Sequence, residues 1–399
     1  MPRILICNES ISSGGIGTYT LSLAGHLASS GWEIGFVATH GPGEYYEKIQ
    51  DISPVCMNLS SYRSMSDKFR CLVKFTKAFD PDILLLNHCS LAHYILPLLP
   101  RHVKPVAVLH NDVELFYRTA ALYRARVFRW IAPSGKLNTA FRDYIPETLW
   151  PRIRTIQHGV DESLFVQRGR TGRAGRVVFI GNIGENKGAD QLPAIIAGVN
   201  AQSPDTQFHI VGSGTLRAKI ESECDHRNIS VTFAGSVPPE KIPEILAEAD
   251  ILLLPSRVEG FGLVIVEAMM CGAVPVVSLL EGITDGIIDE GNTGFLVPSG
   301  DISGFVKRLV SLLDEPELFS KLSRNAELSA RVRFPLSRMI EEYVSLFAEE
   351  DRREVGWGWG GAFWPLETLV EIFRKAPDGS SRVFRRIANL WKNEVRKRI

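Results

Sequence analysis

Short apolar runs alternate with amphipathic stretches along most of the chain. Residues 3–8, 33–38, 83–86, 105–109 and 130–132 are apolar almost throughout, as strands buried on both faces of a parallel sheet are. Between the first two, the pattern predicts a helix from about residue 18 to 30, stopped by Gly31. A second series of strands is expected at 177–181, 207–212, 231–235, 251–254, 273–277 and 294–297, with helices near 190–200, 215–224, 239–248 and 303–313. One more amphipathic helix spans 334–350. Two successive sets of strand–helix–strand units predict an α/β protein of two doubly wound domains, each with ligands bound beyond the carboxyl ends of its strands. The divisions expected are residues 1–167 and 168–333, with 168–176, rich in Gly and Arg, as the linker. Helix 334–350 is expected to cross back to the first domain, leaving 351–399 as a tail.

The richest chemistry lies in residues 255–272, which read as the end of a strand, a glycine turn and a helix stopped at Gly272. Glu259 sits in the turn and Glu267 lies about one turn into the helix. A helix N-terminus carries unpaired N–H groups and about half a positive charge, so it attracts a diphosphate. Gly260 and Gly262 let backbone approach a ligand with no Cβ in the way. Ionised carboxylates only accept hydrogen bonds, so Glu267 suits a ribose diol and Glu259 the hydroxyls of a sugar. The spacing is equally met by a Glu267 that complements the helix dipole and a Glu259 that is a solvated turn residue.

A glycine-containing loop, residues 9–17, follows the first strand, with Gly14 and Gly15 facing a ligand from the opposite side. A dinucleotide-binding motif fits poorly there: Thr20 stands where a third glycine belongs, and Ala38-Thr39-His40 ends strand two without a ribose-gripping acid. His110 follows the strand at 105–109, at an address where ligands bind, and His88 and His93 share its neighbourhood.

Composition narrows the field further. A chain of 399 residues exceeds one ordinary core. Its net charge of zero supplies no global field for nucleic acid, and no nucleic-acid partner is expected. Charge is uneven, though: residues 352–399 hold eleven Lys and Arg against five Asp and Glu. Within that tail, 382–392 places Trp and Phe among Arg and Lys, which suits peripheral contact with a membrane or a helix packed on the protein body. Six cysteines without CxxC spacing indicate a reducing cytoplasm. No eighteen-residue apolar run or signal-peptide segment occurs.

Taken in this order, the motifs resemble those of the retaining, nucleotide-sugar-dependent glycosyltransferases of family 4 (group 1), of GT-B fold. The resemblance runs from about Arg3 to Glu350. It rests on Glu259-x7-Glu267 within Pro-Ser-x-x-Glu-Gly-Phe-Gly-Leu, supported by Gly14-Gly15, His158-Gly159-Val160-Asp161, Gly181 with Lys187-Gly188, and Gly291 to Val297. It implies that Glu259 contacts the donor sugar and Glu267 the ribose, while the amides of Phe261, Gly262 and Leu263 meet sugar and phosphate. It further implies that Lys187 neutralises the diphosphate, that Gly15 closes over it and that His110 lines the sugar pocket. No metal and no cofactor is implied; the partners would be a nucleotide sugar and a saccharide or lipid-linked acceptor.

Two departures stand out. The family's arginine after the strand glycine is Asn182 here, so a neutral amide replaces a bidentate cation at a donor-binding position. Arg257 is the candidate to compensate. Residues 281–285, Glu-Gly-Ile-Thr-Asp, also replace the usual Gly-Gly-x-x-Glu. Two rival readings are a non-catalytic scaffold of the same fold and a nicotinamide-dependent dehydrogenase, which would need the fingerprint missing after strand one.

Overall fold

The first seven strands are β1 (Arg3–Asn8), β2 (Glu33–Ala38), β3 (Val55–Asn58), β4 (Ile83–Asn87), β5 (Lys104–Val108), β6 (Arg129–Ala132) and β7 (Ile153–Thr155). They form one parallel sheet in the order β3-β2-β1-β4-β5-β6-β7. This computed structural model describes residues 1–12, 14–166, 174–227 and 229–353. Residues 168–173 of the expected linker, with 167 before them, and 354–399 of the basic tail lie outside the described residues.

A second parallel sheet joins β8 (Arg176–Ile180), β9 (Gln207–Val211), β10 (Val231–Gly235), β11 (Ile251–Leu254), β12 (Val274–Leu279) and β13 (Phe295–Pro298). Its order, β10-β9-β8-β11-β12-β13, repeats that of the first six strands of the other sheet. Each sheet reverses its winding once, between β1 and β4 and between β8 and β11. Loops on either side of such a reversal diverge and leave a crevice at the carboxyl ends of the strands. The two crevices are therefore built by the loops after Asn8 and Asn87 and by those after Ile180 and Leu254.

Apolar packing explains which helices the sequence pattern found and which it did not. Helix Gly15–Ser29 starts three residues earlier than expected, because Gly14 takes a φ of 122° and lets the glycines themselves begin the first turn. Helix Pro316–Arg333 is hidden among charges, but Phe319, Leu322, Ala326 and Ala330 recur every three or four residues and pack into the second domain's core. Strands β3 and β7 are short edge strands of mixed polarity, with little pattern to read.

The chain passes between the domains twice. Helix Leu336–Ala348 buries Leu336, Met339, Ile340, Tyr343, Leu346 and Phe347 against the first sheet's core, whereas Phe334 belongs to the second. The two passages lie side by side: the Val160 amide donates to Phe334 O at 3.0 Å and the Leu336 amide to Val160 O at 2.9 Å. This proximity needs Gly159, since a Cβ there would stand 2.7 Å from Leu336 Cα and 2.8 Å from Pro335 O. Gly159→Ala should therefore lower stability by about 1–3 kcal/mol, the usual cost of overpacking, read as a drop in melting temperature. A Tm equal to that of the parent protein would show that the two passages can part without cost.

Candidate active site

The turn after β11 carries a close approach between the two domains. A Cβ on Gly260 would lie 1.8 Å from His110 O, so only glycine lets this turn rest on the loop following β5. Gly262, at φ 98°, then turns the chain into helix Leu263–Met270. The amides of Phe261 and Gly262 in the turn and of Leu263 at the helix start donate to no backbone carbonyl among the described residues. Behind the turn, the loop after β8 is pinned to the loop after β11: Gly188 sits at φ 63°, where a Cβ would meet Pro255 O at 1.9 Å.

This pinning brings Lys187 to Glu259. Lys187 Nζ donates to Glu259 Oε1 at 2.5 Å, and Ser256 Oγ donates to the same oxygen at 2.8 Å. Glu259 is 7% exposed. Oε1 is thus taken twice, while no hydrogen bond among the described residues reaches Oε2, and the ion pair holds both side chains in place. Glu267 is treated differently by its surroundings. It is buried on its helix, no hydrogen bond or ion pair among the described residues reaches its carboxylate, and burial pushes its pKa up to about 7. An unpaired buried carboxylate is costly, and such groups concentrate where a ligand supplies the missing donors.

The first domain supplies the facing wall. Added Cβ atoms on Gly14 and Gly15 would meet nothing within 4 Å, so their bareness serves space outside the protein's own packing. Tyr45, beside this loop, has its phenol raised to about 12 by burial and then by the Glu44 and Glu267 carboxylates. His110 is buried at the end of the β5 loop, its Nε2 hydrogen-bonded to Asn87 Oδ1. Its pKa is held well below the usual histidine value by burial and by the neighbouring His158 and His88, so it is neutral. Rings bridge the domains here: His158 lies 4.6 Å from Tyr19, 5.8 Å from His110 and 5.3 Å from Phe261.

Two family profiles tile most of the chain. The one described as Glycosyltransferase Family 4 matches residues 13–164, and the one described as Glycosyl transferases group 1 matches 161–329. They meet where the chain passes between the domains. The chain belongs to the group 1, family 4 glycosyltransferases. It is a glycosyltransferase of GT-B fold, with two Rossmann-like domains.

Among its relatives, an alpha-D-kanosaminyltransferase of Streptomyces kanamyceticus is 29% identical over 43% of this chain and 45% of its own length. An N-acetyl-alpha-D-glucosaminyl L-malate synthase of Bacillus anthracis is 24% identical over 84% of this chain and 94% of its own. The crystal structure of Anabaena HepE with UDP and glucose superposes with a TM-score of 0.74 at 18% identity, covering 86% of this chain and 99% of that one.

Within this glycosyltransferase, Glu259, Lys187 and the Phe261–Leu263 turn meet on one wall, with His110 touching that wall through its carbonyl. Other candidates make no hydrogen bond or ion pair with Glu259 or Lys187 among the described residues. His93 is buried with Nδ1 on Cys89 O at 3.0 Å, a bond internal to its own short helix. His88 adopts φ 53° and packs its ring 4.3 Å from Phe116, with Nδ1 3.9 Å from Glu9. Asn182 is exposed at the mouth of the β8 loop. Arg257, the candidate to replace the missing cation, is engaged within the protein: its guanidinium forks onto Asp190 at 2.6 and 2.7 Å and also donates to Glu185 O. Loop 281–285 is spent on the domain contact, where Gly282 O accepts from the Lys136 amide at 3.0 Å.

Ser256, Asn8, Asn87 and Thr20 are polar groups the sequence reading passed over. Glu267 gives a testable consequence. Its folded pKa near 7 exceeds the value of 4.5 for a free carboxyl, so its contribution to stability is full below about pH 4.5 and is lost as pH rises through 7. The loss should reach about 3 kcal/mol. Denaturant titrations from pH 5 to 8 should show it, and Glu267→Gln should remove this part of the slope. An identical pH dependence in the variant would mean that the carboxylate is solvated.

Proposed function

We propose that this glycosyltransferase moves a sugar from a nucleotide-diphospho-sugar to a hydroxyl of a saccharide or lipid-linked acceptor, with retention at the anomeric carbon, in cell-surface polysaccharide or glycolipid assembly. The observation that carries the reading is the paired Lys187–Glu259 beside the unpaired, buried Glu267, both at the winding reversal of the second sheet and facing Gly14 and Gly15. A nucleotide sugar is the ligand class that answers each group at once. Its ribose diol donates to Glu267, its sugar hydroxyls to Glu259 Oε2, and its diphosphate takes Lys187 and the amides of Phe261, Gly262 and Leu263.

In the reaction, the bond from the anomeric carbon to the β-phosphate oxygen breaks and a bond to the acceptor oxygen forms on the same face. The proton of the acceptor hydroxyl passes to the departing phosphate. Lys187 and the helix amides stabilise the charge that gathers there, so we propose that no divalent metal or other cofactor is required. Glu259, its Oε1 occupied by Lys187 and Ser256, grips hydroxyls and does not attack the sugar, unlike the second carboxylate of a retaining glycosidase. The UDP and glucose in the Anabaena structure and the sugar-transferring names of the relatives support the donor class.

No helix among the described residues is long and apolar enough to cross a membrane. We place the enzyme in the cytoplasm, with peripheral contact through the basic tail 352–399 giving access to a lipid-linked acceptor.

Glu267→Ala should weaken donor binding roughly 10- to 100-fold, the range for losing a charged hydrogen-bonding partner, while Glu259→Ala and Lys187→Ala should chiefly lower the transfer rate by a similar factor. Calorimetry and turnover with UDP- and GDP-sugars would measure both, and full activity in all three variants would refute the site. Donor binding favours ionised Glu267, so affinity should rise with pH through about 7 and binding should release a proton, visible as a buffer-dependent enthalpy. Transfer should also survive an excess of chelator.

A further inference from the structure

Three side chains behind His110 form a buried hydrogen-bond network. Asn8 ends β1 and Asn87 ends β4, the strand paired with it; Val108 of β5 lies beside Asn87, and His110 follows two residues on. Thr20 faces them from helix Gly15–Ser29. Asn8, Asn87 and Thr20 are at most 1% exposed. In such a place each donor must meet an acceptor, because an unmatched one costs about 1–3 kcal/mol.

The assignment of protons follows from Thr20. Its hydroxyl has one hydrogen, donated to Ile16 O one turn back at 2.7 Å, so toward its other neighbours it can only accept. The Asn87 amide atom 2.6 Å from Thr20 Oγ1 must then be nitrogen, as must the Asn8 atom at 3.3 Å. The second hydrogen of Asn87 Nδ2 goes to Asn8 Oδ1 at 3.0 Å. Both hydrogens are thereby used, and what Asn87 turns toward His110 is its carbonyl oxygen. An oxygen can only accept, so His110 Nε2 must carry the proton. Turning both amides over instead would set the Asn8 and Asn87 oxygens against a hydroxyl oxygen with no hydrogen to offer.

We infer that Asn87, fixed by Asn8 and Thr20, is a positioning residue that holds His110 as its Nε2–H tautomer and so presents a bare Nδ1 to accept a hydroxyl of the donor sugar. The last step rests on the proposed donor pocket; the tautomer does not. Nδ1 has no protein partner among the described residues, yet unlike Nε2 of His88, Nε2 of His93 and Nδ1 of His158 it is not sealed away. The titratable groups around the ring are Tyr19 from the glycine-loop helix, 5.4 Å away edge-on, His158 from the passage between domains and His88 after β4. None of these carries a full charge at neutral pH that could substitute for the Asn87 oxygen.

Nitrogen-15 NMR of histidine-labelled full-length protein reads the tautomer directly, with His110→Gln used to assign the signals. We expect His110 to be neutral and protonated at Nε2 in the unmodified chain. Asn87→Asp puts a carboxylate against Nε2 and should raise the His110 pKa by about 1–3 units, the effect of an adjacent opposite charge. Where the ring is protonated it offers a donor at Nδ1, so the acid limb of the pH profile of transfer should move to higher pH, with activity recovering as pH rises. A purely structural defect would lower it at every pH. Asn87→Leu should reduce kcat roughly tenfold or more at all pH values.

An Nδ1–H tautomer in the unmodified chain, or a His110 titration unmoved by Asn87→Asp, overturns the positioning role whatever the ligand does. Adding UDP-glucose, UDP-N-acetylglucosamine or GDP-mannose, whichever raises the melting temperature, should shift the Nδ1 signal. An Nε2–H tautomer whose Nδ1 ignores a bound donor would overturn the donor-sugar contact while leaving the tautomer assignment in place.

Discussion

Everything at the site depends on two backbone loops touching where no side chain could fit. Gly260 rests on the carbonyl of His110, and that contact sets the carboxyl edge of one sheet against that of the other. A second close approach, Gly159 against Pro335 and Leu336, keeps the two passages of the chain together. Between these points runs a ladder of rings, from Tyr343 through Tyr19 and His158 to Phe261 and Phe334. Tyr343 and Phe334 belong to different domains but are nine residues apart in the chain. The ladder therefore ties the site to the very segment where the domains are joined, and a movement of one domain must be felt at Phe261, beside Glu259.

Within that frame the three charged groups of the site are not equivalent. Lys187 and Glu259 satisfy one another, and their burial is bearable for that reason. Glu267 has no such partner, and its cost is visible in a pKa near 7. Ligand binding should thus change the two sites in different ways: at Glu267 it supplies a partner, whereas at Lys187 it competes with one already present. The loss of an arginine at Asn182 sharpens this. Arg257 is held by Asp190, so among the groups discussed Lys187 is the cation left to divide between a carboxylate and a diphosphate.

Much of this could be read from the chain, for physical reasons that also explain the failures. Apolar runs such as 251–254 and 83–86 have to be buried strands, and alternation with helices leaves few topologies other than two wound sheets. The Glu259–Glu267 spacing survived because the turn and helix that carry it are local. Pairings across distant loops were not legible: nothing in the sequence says that Arg257 will choose Asp190, 67 residues away, over an incoming phosphate. The network of Asn8, Thr20 and Asn87 was missed for the same reason. Each is unremarkable alone, and only the pairing of β1 with β4 makes them neighbours. Helix Pro316–Arg333 escaped because its charged face outnumbers its apolar stripe.

The repeated strand order poses a last question, which the chemistry of the two edges answers. Both sheets reverse their winding at the same place in the pattern, so each offers a crevice of the same kind. What fills them differs. The second sheet's crevice holds the Lys187–Glu259 ion pair and Glu267, a carboxyl whose pKa burial raises to about 7. The first presents the neutral Asn8, Asn87 and His110, paired among themselves so that no formal charge faces the cleft from this network. A neutral wall that accepts hydrogen bonds favours hydroxyl groups over anions, since desolvating a phosphate against it would bring no compensating cation. One architecture used twice thus differs in polarity, and under the proposed donor reading the charged half would take the diphosphate and ribose while the uncharged network would meet only hydroxyls of the sugar being moved. His110, whose carbonyl touches Gly260 and whose ring belongs to the neutral network, stands where the two halves meet.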